Sequence, residues 1–225
     1  MLNDFISLLF PHCCVVSKQP LARGEKWIST SYAASLPKFE LHNKNEKLER
    51  KFSGLVHVRH VLAYYKFSRH SGVQKILHQI KYKNTPELGE LCGKWFAHSL
   101  MAAGYTNTFD IVLPIPLHKA KLRKRGYNQA YHIAKGMAEV LNIACDQKSL
   151  YRKVNTTTQT KKGRMERFDN TVNIYAITKK APLKGKRVLV VDDVITTGAT
   201  MIQCVELLRR SGCTDISVAA LAAVE

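Results

Sequence analysis

The sequence predicts an α/β protein built on a mostly parallel, doubly wound sheet, with a small irregular module ahead of it. Short apolar runs recur at Ile111–Leu113, Val188–Val191 and Ser217–Val224, continuous rather than alternating, as strands covered on both faces are. Between them lie stretches with apolar residues at helical spacing. The chain has 225 residues, 45% of them hydrophobic, enough to bury one such sheet and leave a small appendage.

Residues 1–53 form the appendage and a linker, and residues 54–225 the main domain. Met1 to Phe10 reads as a short amphipathic helix; it lacks the basic leader and small-residue cleavage site of a signal peptide. Residues 12–53 are polar and irregular, with Pro11, Pro20 and Pro37 punctuating them and a charge-rich helix or linker from Lys38 to Lys51. Leu55 to Phe67 carries β-branched and aromatic residues and reads as one or two strands. Helices follow at Val73–Ile80 and Pro86–Ala103; Pro86 suits a first turn and Gly104 a C-terminal stop. After the Ile111–Leu113 strand comes a basic loop, then a helix over Asn128–Leu141. Asn173–Ile177 reads as a strand, and Met201–Arg210 as a helix with Met201, Val205 and Leu208 on one face.

Lys and Arg number 35 against 17 Asp and Glu, a formal charge of +18, which implies polyanionic company: phosphorylated ligands, nucleic acid, or both. No apolar run approaches the ~20 residues that span a bilayer. The six cysteines are scattered and do not read as a disulfide framework, which points to a cytoplasmic protein with reduced thiols.

The most informative stretch runs from Val188 to Thr200. A buried strand delivers two carboxylates, Asp192 and Asp193, at its carboxyl end. Thr196, Thr197, Gly198, Ala199 and Thr200 then lead into a helix, so backbone amides, hydroxyls and a helix dipole face one point. Such a cradle suits a phosphate, and adjacent carboxylates suit vicinal hydroxyls; a ribose 5-phosphate offers both. This stretch resembles the phosphoribosyl pyrophosphate (PRPP) loop of type I phosphoribosyltransferases, which implies that fold. It is distinct from a Walker loop, since Gly-x-x-x-x-Gly-Lys-Ser/Thr does not occur.

Two further stretches fit a pyrophosphate. Lys119, Lys121, Arg123, Lys124 and Arg125 follow directly on a strand and end at Gly126; guanidinium forks and backbone amides hold such an anion. Tyr151 to Asn173 is polar, basic and rich in hydroxyls, as a lid that orders over a phosphorylated ligand would be; Thr157, Gln159, Arg164 and Arg167 are its candidate contacts.

Pro-Ile-Pro-Leu-His118, Arg-x-Arg-Gly-Tyr-Asn-Gln129, Arg152 with Thr157 and Gln159, Arg167 to Asn170, and the Asp-Asp/Thr-Thr-Gly motif occur here in the order found in the ComF family. The chain resembles these competence-associated, phosphoribosyltransferase-like proteins of the ComFC and GntX type over nearly its whole length. The resemblance implies PRPP with Mg²⁺ as ligand, the cation held through PRPP rather than by protein side chains. It adds Pro116, Leu117 and His118 to the pyrophosphate contacts, and for some members it implies a link to DNA uptake and single strands.

One departure concerns zinc. The family usually begins with a ribbon of two Cys-x-x-Cys pairs. Here Phe10-Pro11 and Leu36-Pro37 are kept, but only Cys14 fits, with Ser17, Ser29 and Tyr32 at the other positions. The expectation is a degenerate, zinc-free module. Three functions stay open: a transferase of unknown acceptor, a non-catalytic PRPP sensor, and a competence factor that binds single-stranded DNA weakly and without sequence preference, with competence proteins as partners.

Overall fold

The computed structural model describes residues 11–153, 174–178, 181 and 183–225. The apolar runs lie side by side in a five-stranded sheet: β1 (Val61–Lys66), β2 (Ile111–Pro114), β3 (Ala144–Cys145), β6 (Arg187–Ile195) and β7 (Asp215–Ala223), in the order β1-β7-β6-β2-β3 and all parallel. Parallel strands need long crossovers, and helices supply them. The helices are α1 (Thr30–Ser35), α2 (Glu46–Arg50), α3 (Gly72–Tyr82), α4 (Pro86–Ala102), α5 (Lys119–Arg125), α6 (Gln129–Leu141) and α7 (Ala199–Arg210).

Side chains alternate across the sheet and feed two cores. Leu62, Tyr64, Val112, Leu189, Val191 and Leu221 meet α3, α4 and α6 on one face. Val61, Ala63, Leu113, Val188, Val190 and Val218 meet α7 on the other, together with Leu48 of α2 and Phe52. Helix α6 therefore follows β2 onto one face while α7 follows β6 onto the other. Strands β2 and β6 are neighbours in register, Pro114 beside Val191, so the crevice at their carboxyl ends is the switch point at which doubly wound sheets bind ligands.

Several expectations needed correction. The strand in 55–67 begins only at Val61. Strand β6 does not stop at Val191: it pairs with β7 through Ile195, so the dyad lies within the strand, Asp192 opposite Ala220. The basic segment 119–125 is a helix, not a loop; the His118 side chain caps its start and Gly126, at φ 85°, ends it. Tyr175–Ile177 (β5) belongs to a separate two-stranded antiparallel sheet with Leu150–Arg152 (β4). Residues 12–53 are less irregular than expected, since Thr30–Ser35 is helical behind a Ser29 cap.

The N-terminal residues share both cores. Cys14, Val16, Ile28, Ala33, Leu36 and Leu41 pack with α3 and α4, and residues 37–39 lie along the free edge of β1 through Phe39 N–H to Tyr64 O and Lys66 N–H to Pro37 O, each 2.9 Å. Cys14 is buried; burial pushes its thiol up, but hydrogen bonds from Ser17 and Ser29 outweigh this and lower it. All six cysteines are unpaired. Among the described residues, no helix is long and apolar enough to cross a membrane.

Candidate functional site

Strand β6 ends in the crevice with its two carboxylates turned to different surroundings. Asp193 follows Val191 towards the α3 and α6 face and is 5% exposed. Its Oδ2 lies 2.5 Å from Lys81 Nζ, and its Oδ1 accepts from Gln129 Nε2 at 3.5 Å. Asp192 follows Val190 towards α7 and β5, half-buried, and its Oδ1 accepts the Asp193 N–H at 2.8 Å. Burial, and then the adjacent Asp193 charge, push the Asp192 carboxyl well above the ordinary carboxylate range; Lys81 draws it back in part. On that side Cys204 and Tyr175 are both raised by burial, Tyr175 to about 12. Arg152 stacks over the Tyr175 ring at 5.7 Å.

Beyond the strand, Thr196, Thr197, Ala199 and Thr200 are exposed, while Gly198 is buried at φ 82° and starts α7 without a side-chain cap. The first amides of α7 thus lack the partner that a cap would provide. Only Ala199 N–H finds a nearby hydroxyl, Thr197 Oγ1 at 3.4 Å. A methyl on Gly198 would sit 3.3 Å from Phe52 Cζ, so the loop is held close to its floor.

The Arg-Gly-Tyr-Asn-Gln stretch builds the opposite wall through its side-chain fastenings. The Tyr127 hydroxyl donates to Ile80 O at the end of α3. Asn128 Nδ2 donates to Ile115 O at 2.9 Å, and its Oδ1 caps α6 by accepting Ala130 N–H at 3.1 Å. Buried Gln129 accepts from Arg125 while it donates to Asp193. Arg125 also lies over the Tyr82 ring at 5.5 Å. Arginine, glutamine, aspartate and lysine therefore form one chain from the basic helix α5 to the dyad. On α5, Lys119, Lys121, Arg123 and Lys124 are exposed. Pro116, Leu117 and His118 are half-buried at the mouth of β2, where Ile115 N–H still donates to Val191 O at 2.8 Å.

The crevice thus brings together the dyad, the threonine loop and Arg125 with Gly126. The lid candidates Thr157, Gln159, Arg164 and Arg167 fall outside the described residues. Lys81 escaped the sequence reading because it lies in no motif and far upstream of the aspartate it meets. Beside α5, a cleft of about 340 Å³ is lined by Leu117, Leu122, Tyr127, Tyr131, His132 and Gln147 among others. Another cleft, about 900 Å³, lies between α2, residues 52–59 and the end of α7, and contains none of the predicted site residues. Among the described residues, no group of three or more His, Cys, Asp or Glu could hold a metal ion.

The chain is similar to several known proteins. The phosphoribosyl transferase domain family matches residues 78–225. The chain is 26% identical over 146 residues to DNA utilization protein YhgH of Escherichia coli O157:H7, covering 64% of this chain and 63% of that one. It is 33% identical over 114 residues to competence protein F of Haemophilus influenzae, half of each chain (50% and 50%). The chain thus spans 63% of the length of the first of these relatives. Among solved structures, glutamine PRPP amidotransferase from B. subtilis aligns at 20% identity with a TM-score of 0.45, over 64% of this chain and 30% of that one.

Proposed function

We propose, for a chain that belongs to the phosphoribosyl transferase domain family and to its ComF branch, that the crevice between β2 and β6 binds PRPP together with Mg²⁺. One observation carries this: the carboxylate pair, an uncapped helix start and a cationic helix converge at the sheet's switch point. Thr196 to Thr200 would cradle the 5-phosphate with amides and hydroxyls. Asp192 and Asp193 would accept hydrogen bonds from the ribose diol. Arg123, Arg125 and Gly126, with Pro116 to His118, would receive the pyrophosphate, and the lid residues would exclude water.

Breaking the C1–pyrophosphate bond develops positive charge on the sugar and negative charge on the leaving group, so no covalent nucleophile is required. Mg²⁺ supplies charge neutralisation of that leaving group. The chain's own residues orient the ribose and hold the pyrophosphate oxygens as their charge grows. The acceptor is left unassigned, and residues 1–53 are taken as an appended module to domain 54–225, with which its described part, 11–53, shares both cores. A cytoplasmic setting, where thiols stay reduced, is part of the same proposal. Calorimetry and thermal shift with PRPP, with and without Mg²⁺, test the ligand; pyrophosphate release on addition of candidate acceptors tests turnover. Binding without turnover would identify a PRPP sensor, and no binding would refute the site.

A second function is favoured by α5, whose exposed cations continue the +18 charge of the chain onto one surface. One relative is named for DNA utilization and another for competence. Weak, sequence-independent binding of single-stranded DNA, alongside competence proteins, is the corresponding proposal. Anisotropy at two salt concentrations decides it.

A further inference from the structure

The ion pair between Lys81 and Asp193 joins the last turn of α3 to the middle strand of the sheet. We infer that Lys81 is a positioning residue for the dyad: its ammonium fixes the Asp193 carboxylate in place beside Asp192, and its charge sets the pH range over which the pair accepts a ligand's hydroxyls. The identity of that ligand rests on the PRPP proposal above; the role of Lys81 does not.

Two carboxylates on successive residues of a buried strand end repel each other and are poorly solvated. A cation in the same crevice offsets part of that repulsion. Lys81 is placed to be that cation. Val73, Ile76, Leu77 and Ile80 anchor α3 in the core, and the Tyr127 hydroxyl bonds Ile80 O one residue away. The Lys81 side chain, 23% exposed, reaches Asp193 at 7% exposure. A lysine in a helix's last turn is also favoured there by the helix dipole.

The other groups around the pair leave this task to Lys81. From α6, Gln129 is polar but does not titrate, and it accepts the Arg125 guanidinium of α5, which also stacks on Tyr82. From the opposite face come Cys204 of α7 and Tyr175 of β5, both neutral at physiological pH, and Arg152 of β4 lies over the Tyr175 ring. Among the described residues, the ion pair of the dyad is the one made by Lys81. The dyad thus acts with one charge balanced from within, ready for hydroxyl donors.

The test uses the full chain and two readouts. The first is ¹³C NMR titration of the aspartate side-chain carboxyls without ligand, in wild type, Lys81→Met and Lys81→Arg. The second is PRPP affinity with Mg²⁺ against pH, by calorimetry. In Lys81→Met the carboxyl midpoint should rise by about 1 to 3 pH units, as expected on loss of a cation in contact. PRPP affinity below that midpoint should fall about tenfold for each pH unit of displacement. Lys81→Arg should restore both.

An unmoved carboxyl midpoint in Lys81→Met overturns the inference. So does an equal loss of PRPP affinity at every pH, which would make Lys81 a direct phosphate contact. If wild type binds no PRPP, the ligand proposal fails while the carboxyl titration still decides the role of Lys81. Lys81→Gln carries the same comparison should Lys81→Met not fold.

Discussion

Asp192 and Asp193 share a peptide bond but not an environment. One, half-buried, faces α7 and β5; the other is closed in by α3 and α6. Replacing both with Asn keeps the shape and removes the charge-assisted acceptors. The double variant should stay folded and lose about 1.5–3 kcal/mol of PRPP binding per charge-assisted bond removed. Calorimetry on the folded double variant checks this, and unchanged affinity would remove the dyad from the site. These residues were legible in the sequence because strand, carboxylates, loop and helix follow one another without a break. Lys81 and Gln129 were not, because their importance lies in an aspartate that only the folded crevice brings to them. The roles of Tyr127 and Asn128 were hidden for the same reason: the motif could be recognised, but not that its residues fasten α3, β2 and α6 together.

Among the elements, α4 and α6 cross at glycines. A methyl on Gly136 would lie 2.1 Å from Glu90 O, and one on Gly93 2.2 Å from Ile133 O. Gly136→Ala should therefore force the helices apart and cost about 1–3 kcal/mol, as overpacking does. The melting temperature should fall by roughly 2–4 °C per kcal/mol for a chain of this size. Because α6 carries Gln129, PRPP affinity should fall in the same variant. At the amino ends of the strands, Arg187 clasps Asp110 through its side chain and its own backbone N–H, and these bonds hold the Asp110 carboxyl at about 2. A carboxyl held below its unfolded value stabilises the fold above that value, and the gain is lost as pH falls through the folded one. The clasp between β2 and β6 should thus weaken between about pH 4 and pH 2. Thermal melts across that window should show an acid-dependent loss of stability that is smaller in Asp110→Asn.

Other elements were harder to read. In sequence, helix α5 reads as a loop, since a run of like charges suggests solvated coil. Yet Lys, Arg, Ala and Leu are all good helix formers, and the His118 cap and Gly126 stop are enough to close it. Strand β4 has three residues, too short for any periodicity to show, and although β5 reads as a strand, nothing local tells it which sheet it will join.

On the scale of the whole molecule, the excess of positive charge is the property that separates the two proposed functions. If α5 tracks a nucleic-acid backbone, each of Lys119, Lys121 and Lys124 that is neutralised should lower the salt slope of single-stranded DNA binding by about 0.7. All sequences should weaken alike, since phosphate contacts carry no base information. If α5 serves pyrophosphate alone, DNA binding will be unchanged while PRPP affinity drops. Anisotropy and calorimetry on the same triple variant separate the two. The fold itself was legible at this scale, because buried parallel strands and amphipathic helices leave few other architectures. The sharing of both cores by residues 11–53 was not, because their apolar residues are too scattered to announce a partner.

Phe52 lies under Gly198, and that contact crosses a boundary drawn by sequence comparison alone. Every motif residue of the crevice falls within the stretch 78–225 that matches the domain family, yet the floor of the threonine loop comes from outside it. An engineer who trimmed the chain to its matched portion would keep a complete inventory of functional letters and lose the surface that shapes one of them. Conversely, changes at position 52 offer a way to tune the loop's rest position without touching any group that meets the ligand. Heredity can use the same handle, adjusting the grip of the loop through a residue that no catalogue of ligand contacts would include.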